Sequence, residues 1–251
     1  MSNLRSSRPE DSPRLRQLWK TAFGDEEEYL DLFFGAAYVP ERSMVLEERG
    51  RILGAAYWLD CELTGRRLAY IYAVAITPAR QGQGRGSQLM DAIHNRLILE
   101  GYCAAILVPG SQGLFEYYRR FGYRTGAYHR EFTAAAETPA VLSPIGVSRY
   151  AQLRRQYLPE NGLIQEGENL ALLASLARFY EGPNCVCAIA KDTPTCLELL
   201  GSEGAAGQLT AALGFSQCKF RIPGIDKPYA MVKHLSGPPL PQQLYLGFGF
   251  D

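Results

Sequence analysis

Gly82, Gly84 and Gly86 stand at alternate positions among Arg80, Gln81, Gln83 and Arg85. Glycine lets a ligand approach the backbone with no Cβ in the way. Arginine adds charge and a planar fork of donors suited to phosphate. An apolar run, Tyr70 to Ile76, comes before the glycines and is ended by Thr77-Pro78. Leu89, Met90, Ile93 and Leu97 follow at helical spacing. Strand, glycine-rich basic loop and helix present free backbone N–H groups and a positive helix end to an anion. The chemistry to expect is the holding of a phosphate-bearing ligand.

Three loop types compete for this stretch. A P-loop needs a lysine before the serine, and Gly86-Ser87 has none. A dinucleotide fingerprint needs GxGxxG inside an early βαβ unit, whereas these glycines fall as GxGxG after three strands. The third pattern, Gln/Arg-x-x-Gly-x-Gly/Ala, fits Gln81-x-x-Gly84-x-Gly86. With it, the stretch resembles the GNAT superfamily of N-acetyltransferases. The helix end LFEYYRRFGYR, Leu114 to Arg124, resembles a later motif of that superfamily, in which a tyrosine precedes a helix-closing Gly-aromatic pair. The resemblance covers residues 3 to 135. LAYIYAVAITPARQGQGRG with YYRRFGY is more narrowly similar to the tandem enzymes of the enhanced-intracellular-survival type. Those carry a second, degenerate copy of the fold. This shorter chain is expected to lack their sterol-carrier-like third domain, which leaves open any site role for the carboxylate of Asp251.

The resemblance implies acetyl-coenzyme A as donor and a primary amine of a small molecule or peptide as acceptor. Backbone N–H groups from Gln81 through Gly82, Gln83, Gly84, Arg85 and Gly86 to Ser87 would take the pyrophosphate, with Arg80 and Arg85 adding charge. Ser111, which can also cap the following helix, joins this cofactor set. The pantetheine arm would pair with the backbone of Val74, Ala75 and Ile76, and their side chains need serve only the core. Tyr118 aligns with the family tyrosine and would protonate the leaving thiolate. Its spacing from Phe115 and Phe121 also suits core packing. Tyr70 and Tyr72 share a strand face and line either the acceptor pocket or the core. Phe33, on a helix apolar on more than one side, is either covered by substrate or packed in the core. No base is assignable, and no metal is expected. A non-catalytic acyl-coenzyme A sensor or scaffold is the alternative reading.

The elements that must position these groups follow from periodicity and caps. Asp11-Ser12-Pro13 starts a helix that Gly24 closes, and Asp25 with Glu28 signals a second one. Ser43 to Glu48, Ile52 to Leu63 and Leu68 to Ile76 read as an antiparallel meander. Tyr102 to Val108 reads as a central strand, parallel to the one before the loop because a helix joins them. A helix from Ser111 stops at Gly122, and a strand follows from Tyr123 to Thr133. The fold class is a mixed-sheet α/β domain over residues 1–136, the GNAT acyl-CoA N-acyltransferase fold by resemblance. A degenerate GNAT-like half follows over 141–251. There, helices are expected over 147–157, 167–180 and 203–213, with strands over 185–190, 195–200, 215–222 and 229–235. The order helix, Gly122-Tyr123, strand recurs as helix, Gly214-Phe215, strand.

The 251 residues carry zero net charge, balanced in both halves, which argues against a nucleic-acid or membrane partner. Between Arg66 and Arg130, however, the net charge is +6, around the glycine loop. The six cysteines show no CxxC spacing, and the polar N-terminus has no signal-peptide run. A reduced, cytoplasmic setting is the expectation. Self-association is left open by the sequence.

Overall fold

The computed structural model describes residues 2–250, so the carboxylate of Asp251 lies outside the described residues. Contacts divide the chain into two units, one of residues up to 124 with 231–240, the other of 125–230 with 241 onward.

In the first unit, strands β1 (Ser2–Arg5), β2 (Ser43–Glu48), β3 (Arg51–Leu63), β4 (Arg66–Ile76) and β5 (Ala104–Leu107) lie side by side in that order. The meander β2-β3-β4 is antiparallel, and β5 is parallel to β4, as the connecting helix requires. Residues Met231 to His234 pair antiparallel with β5. Helices α1 (Ser12–Phe23) and α2 (Glu27–Ala36) cover one face of this sheet, where Trp19 packs on Tyr57 and Tyr72. Helix α3 (Arg85–Leu99) covers the other, where Leu89, Met90, Ile93 and Leu97 meet Trp58, Ala69 and Ile71. Because neighbouring strand residues point to opposite faces, Tyr57 serves one layer and Trp58 the other. With both faces covered, β3 and β4 read as near-continuous apolar runs. Helix α4 (Gln112–Arg119) contributes Tyr118 to the α3 layer.

The second unit contains β6 (Arg124–Ala135, all but its first residue), β7 (Ser143–Ile145), α5 (Val147–Tyr157), α6 (Glu168–Leu176), β8 (Ala177–Gly182), β9 (Cys185–Ala190), β10 (Thr195–Gly201), α7 (Ala206–Ala212) and most of β11 (Gln217–His234). Its strand order is β11-β10-β9-β8-β7, with β6 also on β11.

The structure corrects the sequence reading at several places. The helix expected over 167–180 stops at Leu176 and turns into β8. Ala177 and Phe179 are buried with Arg178 exposed between them, and Phe179 stacks on Tyr150 at 4.2 Å. The strand pairing with β9 thus overrides helix propensity. The two strands expected over 215–222 and 229–235 are one strand, β11. Pro223 does not break it, and β6 runs alongside; Gly224 comes so near Arg130 that a Cβ there would lie 2.7 Å from the arginine Cβ. Two short strands, β1 and β7, were not expected at all.

The Gly-aromatic helix ends are alike in geometry. Gly122 and Gly214 are both left-handed, at φ 83° and 77°. Tyr123 N–H donates to the Tyr118 carbonyl, and Phe215 N–H to that of Thr210, the six-residue bond of a Schellman cap. All six cysteines are buried free thiols.

Candidate active site

After Ile76 the chain makes a 3-10 turn, Pro78–Arg80, then the glycine loop, and enters α3 at Gly84. Gly82 and Gly84 have φ 71° and 73°, a region costly for any residue with a Cβ. Gln81 Nε2 donates to the Ile76 carbonyl at 3.0 Å and Gln83 Nε2 to that of Ala79 at 3.3 Å, so the two glutamines brace the turn. Residues 81–84 form a hydrogen-bonded turn, and no N–H from Gly82 to Ser87 makes a short, well-aligned hydrogen bond among the described residues. Six donors in sequence, ending at the positive end of a 15-residue helix, make an anion cradle.

The arginines are less free than their sequence suggests. Arg85 donates to Glu48 of β2 at 2.9 Å, and Arg80 stands 3.8 Å from the same carboxylate. Elsewhere in the basic stretch Arg67 pairs with Asp60, Arg96 with Glu100, and Arg119 with Glu116. Glu48 and Asp60, from outside the 66–130 segment, offset part of its net +6, and the cradle rests mainly on backbone donors. Glu48 was not singled out in the sequence, because a lone strand carboxylate 37 residues from Arg85 carries no local signal.

Strand β4 carries a second device. Its pairing with β5 covers only Leu68 to Tyr70. From Ile71 to Ile76 it pairs with β3 alone, so one backbone edge is free of strand partners. Inside that stretch the β3 register shifts: Tyr72 faces Tyr57 and Ala75 faces Ala55, leaving two residues opposite one. Ala73 takes φ 51° at this bulge, an uncommon value for a residue other than glycine. Val74 and Ile76 turn their side chains into the α3 layer, and Ala75 is buried. No sequence signal marks the bulge, since alanine is an ordinary strand filler.

Ser111 sits at the N-cap of α4 with extended backbone, but its hydroxyl makes no capping bond. Tyr118 is 7% exposed, within the α3 core layer and 5.8 Å from the Tyr123 ring. Its neighbour Tyr117 reaches the cradle: a Cβ on Gly86 would lie 2.3 Å from the Tyr117 hydroxyl. Gly86 is thus required by α4 packing as well as by the loop, and Tyr117, the residue before Tyr118, borders the cradle. Burial raises its pKa, so the hydroxyl remains a donor.

Tyr70, Tyr72 and Phe33 belong to the aromatic layer under α1 and α2. Tyr72 and Tyr29 share a hydrogen bond of 2.5 Å between hydroxyls, and Tyr70 lies 5.9 Å from Tyr72. Phe33 is fully enclosed between Trp19 and Tyr57, at 4.6 and 5.1 Å, with no exposed surface.

Two buried histidines set the acid limit of the fold. His94, bonded to the Tyr123 hydroxyl at 2.9 Å, is pushed down to about 4 by burial and by Lys233. In the second unit His129 is likewise pushed down to about 4, by burial and Arg221. The unfolded chain protonates both near pH 6.5 while the folded chain holds them neutral. Stability should therefore fall as pH drops from about 6.5 toward 4, and be flat above that. Thermal midpoints across pH 4 to 8 check this, and His94→Gln should flatten part of the slope.

Residues 3–126 match the sequence model of the acetyltransferase (GNAT) domain, and this part of the chain is a GNAT acetyltransferase domain. The fold agrees with solved structures along most of the chain. A GCN5-related N-acetyltransferase from Kribbella flavida superposes at TM-score 0.74 and 16% identity, covering 94% of this chain and 71% of that one. Eis1 from Mycobacterium abscessus gives 0.70 and 14%, covering 94% and 74%. A GCN5-related N-acetyltransferase from Anabaena variabilis gives 0.72 and 14%, covering 94% and 73%. At these identities the likeness is one of fold. No curated protein matches the sequence.

Proposed function

We propose that this protein is an acetyl-coenzyme A-dependent N-acetyltransferase acting on a primary amine of a small molecule or peptide. The observation that carries the reading is the junction of two donor-bearing devices on consecutive residues. The free edge of β4 over 71–76 runs into the row of N–H groups of 82–87 that opens α3. An amide-bearing arm laid on the first and a pyrophosphate on the second describe coenzyme A.

The pyrophosphate accepts from the cradle, with Arg80, Arg85 and the Tyr117 hydroxyl beside it. The pantetheine amides pair with β4 around Val74 and Ile76. The bulge at Ala73 turns the backbone where the thioester lies, and an N–H there polarises its carbonyl. The acceptor attacks directly as the neutral amine, so its ammonium, with a pKa of about 10, must first lose a proton to solvent or a base. Tyr118 protonates the departing thiolate. Tyr70 and Tyr72 shape the acceptor side, with Phe33 backing them.

Calorimetry with acetyl-coenzyme A tests the cradle. Gly84→Val forces a Cβ onto a backbone at φ 73° and turns cradle N–H groups away from the phosphates. The Kd should rise about thirtyfold, the loss of about one charge-assisted hydrogen bond. An unchanged Kd would remove the loop from the coenzyme site. The burial of Tyr118 favours the second reading, a non-catalytic acyl-coenzyme A sensor, which binds the coenzyme and releases no thiol.

A further inference from the structure

At the outer edge of the second unit's sheet, β7 stops early. It pairs with Phe179 to Glu181 of β8, and after Ile145 the chain turns through Gly146 into α5. Ala177 and Arg178 therefore pair with β9 on one side and with no strand on the other. The notch left there is a cavity of about 300 Å³, open to solvent. Ala174 and Ala177 offer it only methyl groups and Gly146 no side chain, so nothing of the protein fills it. Its volume is at the lower end of the range that holds small ligands.

The apolar walls are Ile145, Val147, Ala174, Ala177 and Phe179, and Arg178 is the charged residue beside them. Glu181, further along β8, is held by Arg149 at 2.6 Å. Arg178 has no ion-pair or hydrogen-bond partner among the described residues. Val147, 39% exposed, is apolar surface that a ligand would take out of water. Apolar walls with a free guanidinium and no carboxylate among them fit an anion with an apolar body. A cation would be repelled by Arg178, and a neutral molecule would leave its charge unused. An added strand is disfavoured, because Pro144 gives β7 no N–H to offer at the sheet edge.

We propose that this notch is a binding site for a small amphipathic carboxylate of about octanoate size. Its chain lies against Ile145, Val147, Ala174 and Phe179, and its carboxylate meets Arg178. At about 30 Å³ per heavy atom the cavity holds about ten, which octanoate has. The site lies wholly within the second unit and does not depend on the coenzyme reading.

Titration of the full chain with octanoate, followed by methyl NMR, decides it. The methyl signals of Ile145, Val147, Ala174 and Ala177 should shift together along one saturable curve, with Kd below about 1 mM. Hexanoate should bind about tenfold more weakly, for two methylenes fewer. Octanol and octylamine should each bind at least about fivefold more weakly than octanoate, and Arg178→Gln should cost octanoate about fivefold while leaving octanol unchanged. Val147→Glu puts a like charge at the rim, in a first helical turn that tolerates it, and should weaken octanoate about tenfold. Ala174→Leu fills the cavity and should weaken octanol and octanoate alike. Either of these two serves if the other does not fold. No shift of these methyl signals at about 5 mM octanoate would overturn the inference. So would octanol or octylamine bound there as tightly as octanoate, or octanoate binding unchanged in Arg178→Gln.

Discussion

A Tyr118→Phe protein should bind acetyl-coenzyme A as the parent does and turn over about a hundredfold more slowly or worse. The thiolate that leaves has a pKa of about 8.5, and a phenol at about 10 is still protonated at neutral pH. Removing the donor raises the barrier to thiolate departure without touching the cradle. Phenylalanine retains the ring, and with it the edge contacts to Tyr117 at 5.2 Å and Tyr123 at 5.8 Å, so the α3 layer should hold. The measurement is kcat from thiol release beside Kd from calorimetry. Unchanged turnover would assign Tyr118 to the core alone. Tyr117→Phe is the control with the opposite signature. Its hydroxyl lies over Gly86, so that variant should weaken coenzyme binding and spare kcat.

The largest stability effect should come from the second unit. Arg154 and Glu198, 3% and 0% exposed, form an ion pair with Nε 2.7 Å from Oε2. Tyr150 donates to the same carboxylate at 2.6 Å and Tyr245 at 3.1 Å, while Arg154 also donates to the Leu163 carbonyl. Burial opposes the guanidinium charge, and Glu198 more than offsets it, holding Arg154 protonated. Gln165 extends the network to the backbone of Phe248, which seats the C-terminal segment. Gly247 is needed there, since a Cβ would meet Arg154 and Glu198 at 2.5 Å. Arg154→Met should cost about 3–5 kcal/mol, because it leaves a carboxylate buried without its partner. The double variant Arg154→Met with Glu198→Leu should recover much of that loss. Urea denaturation of the three proteins checks both statements. A single-variant loss below about 1 kcal/mol would show that water reaches the pair.

What could be read from the sequence was what is local. The meander, the loop and α3 follow from alternation, turn residues and helical spacing within short windows. The Gln81 to Gly86 pattern carries its own chemistry, because glycines at fixed offsets before a helix have few structural alternatives. What escaped depends on distant partners. The last four residues of the helix expected over 167–180 became strand because β9, further along the chain, pairs with them. The bulge at Ala73 arises from a register shift against β3 and has no residue signature. Glu48 reaches Arg85 only once the sheet is built. Arg154 and Glu198, 44 positions apart, carry no local signal of burial, because charge is ordinarily exposed.

The central claim is that the cradle and the β4 edge hold acetyl-coenzyme A for transfer to an amine. Its most direct test is incubation of the protein with acetyl-labelled acetyl-coenzyme A and a panel of polyamines, aminoglycosides, peptides and small amines, with the label followed into product. The account predicts label on the nitrogen of at least one amine, matched by release of free thiol and lost in Tyr118→Phe. Tight binding of the coenzyme with no label transferred to any amine would contradict it and leave the sensor reading in its place.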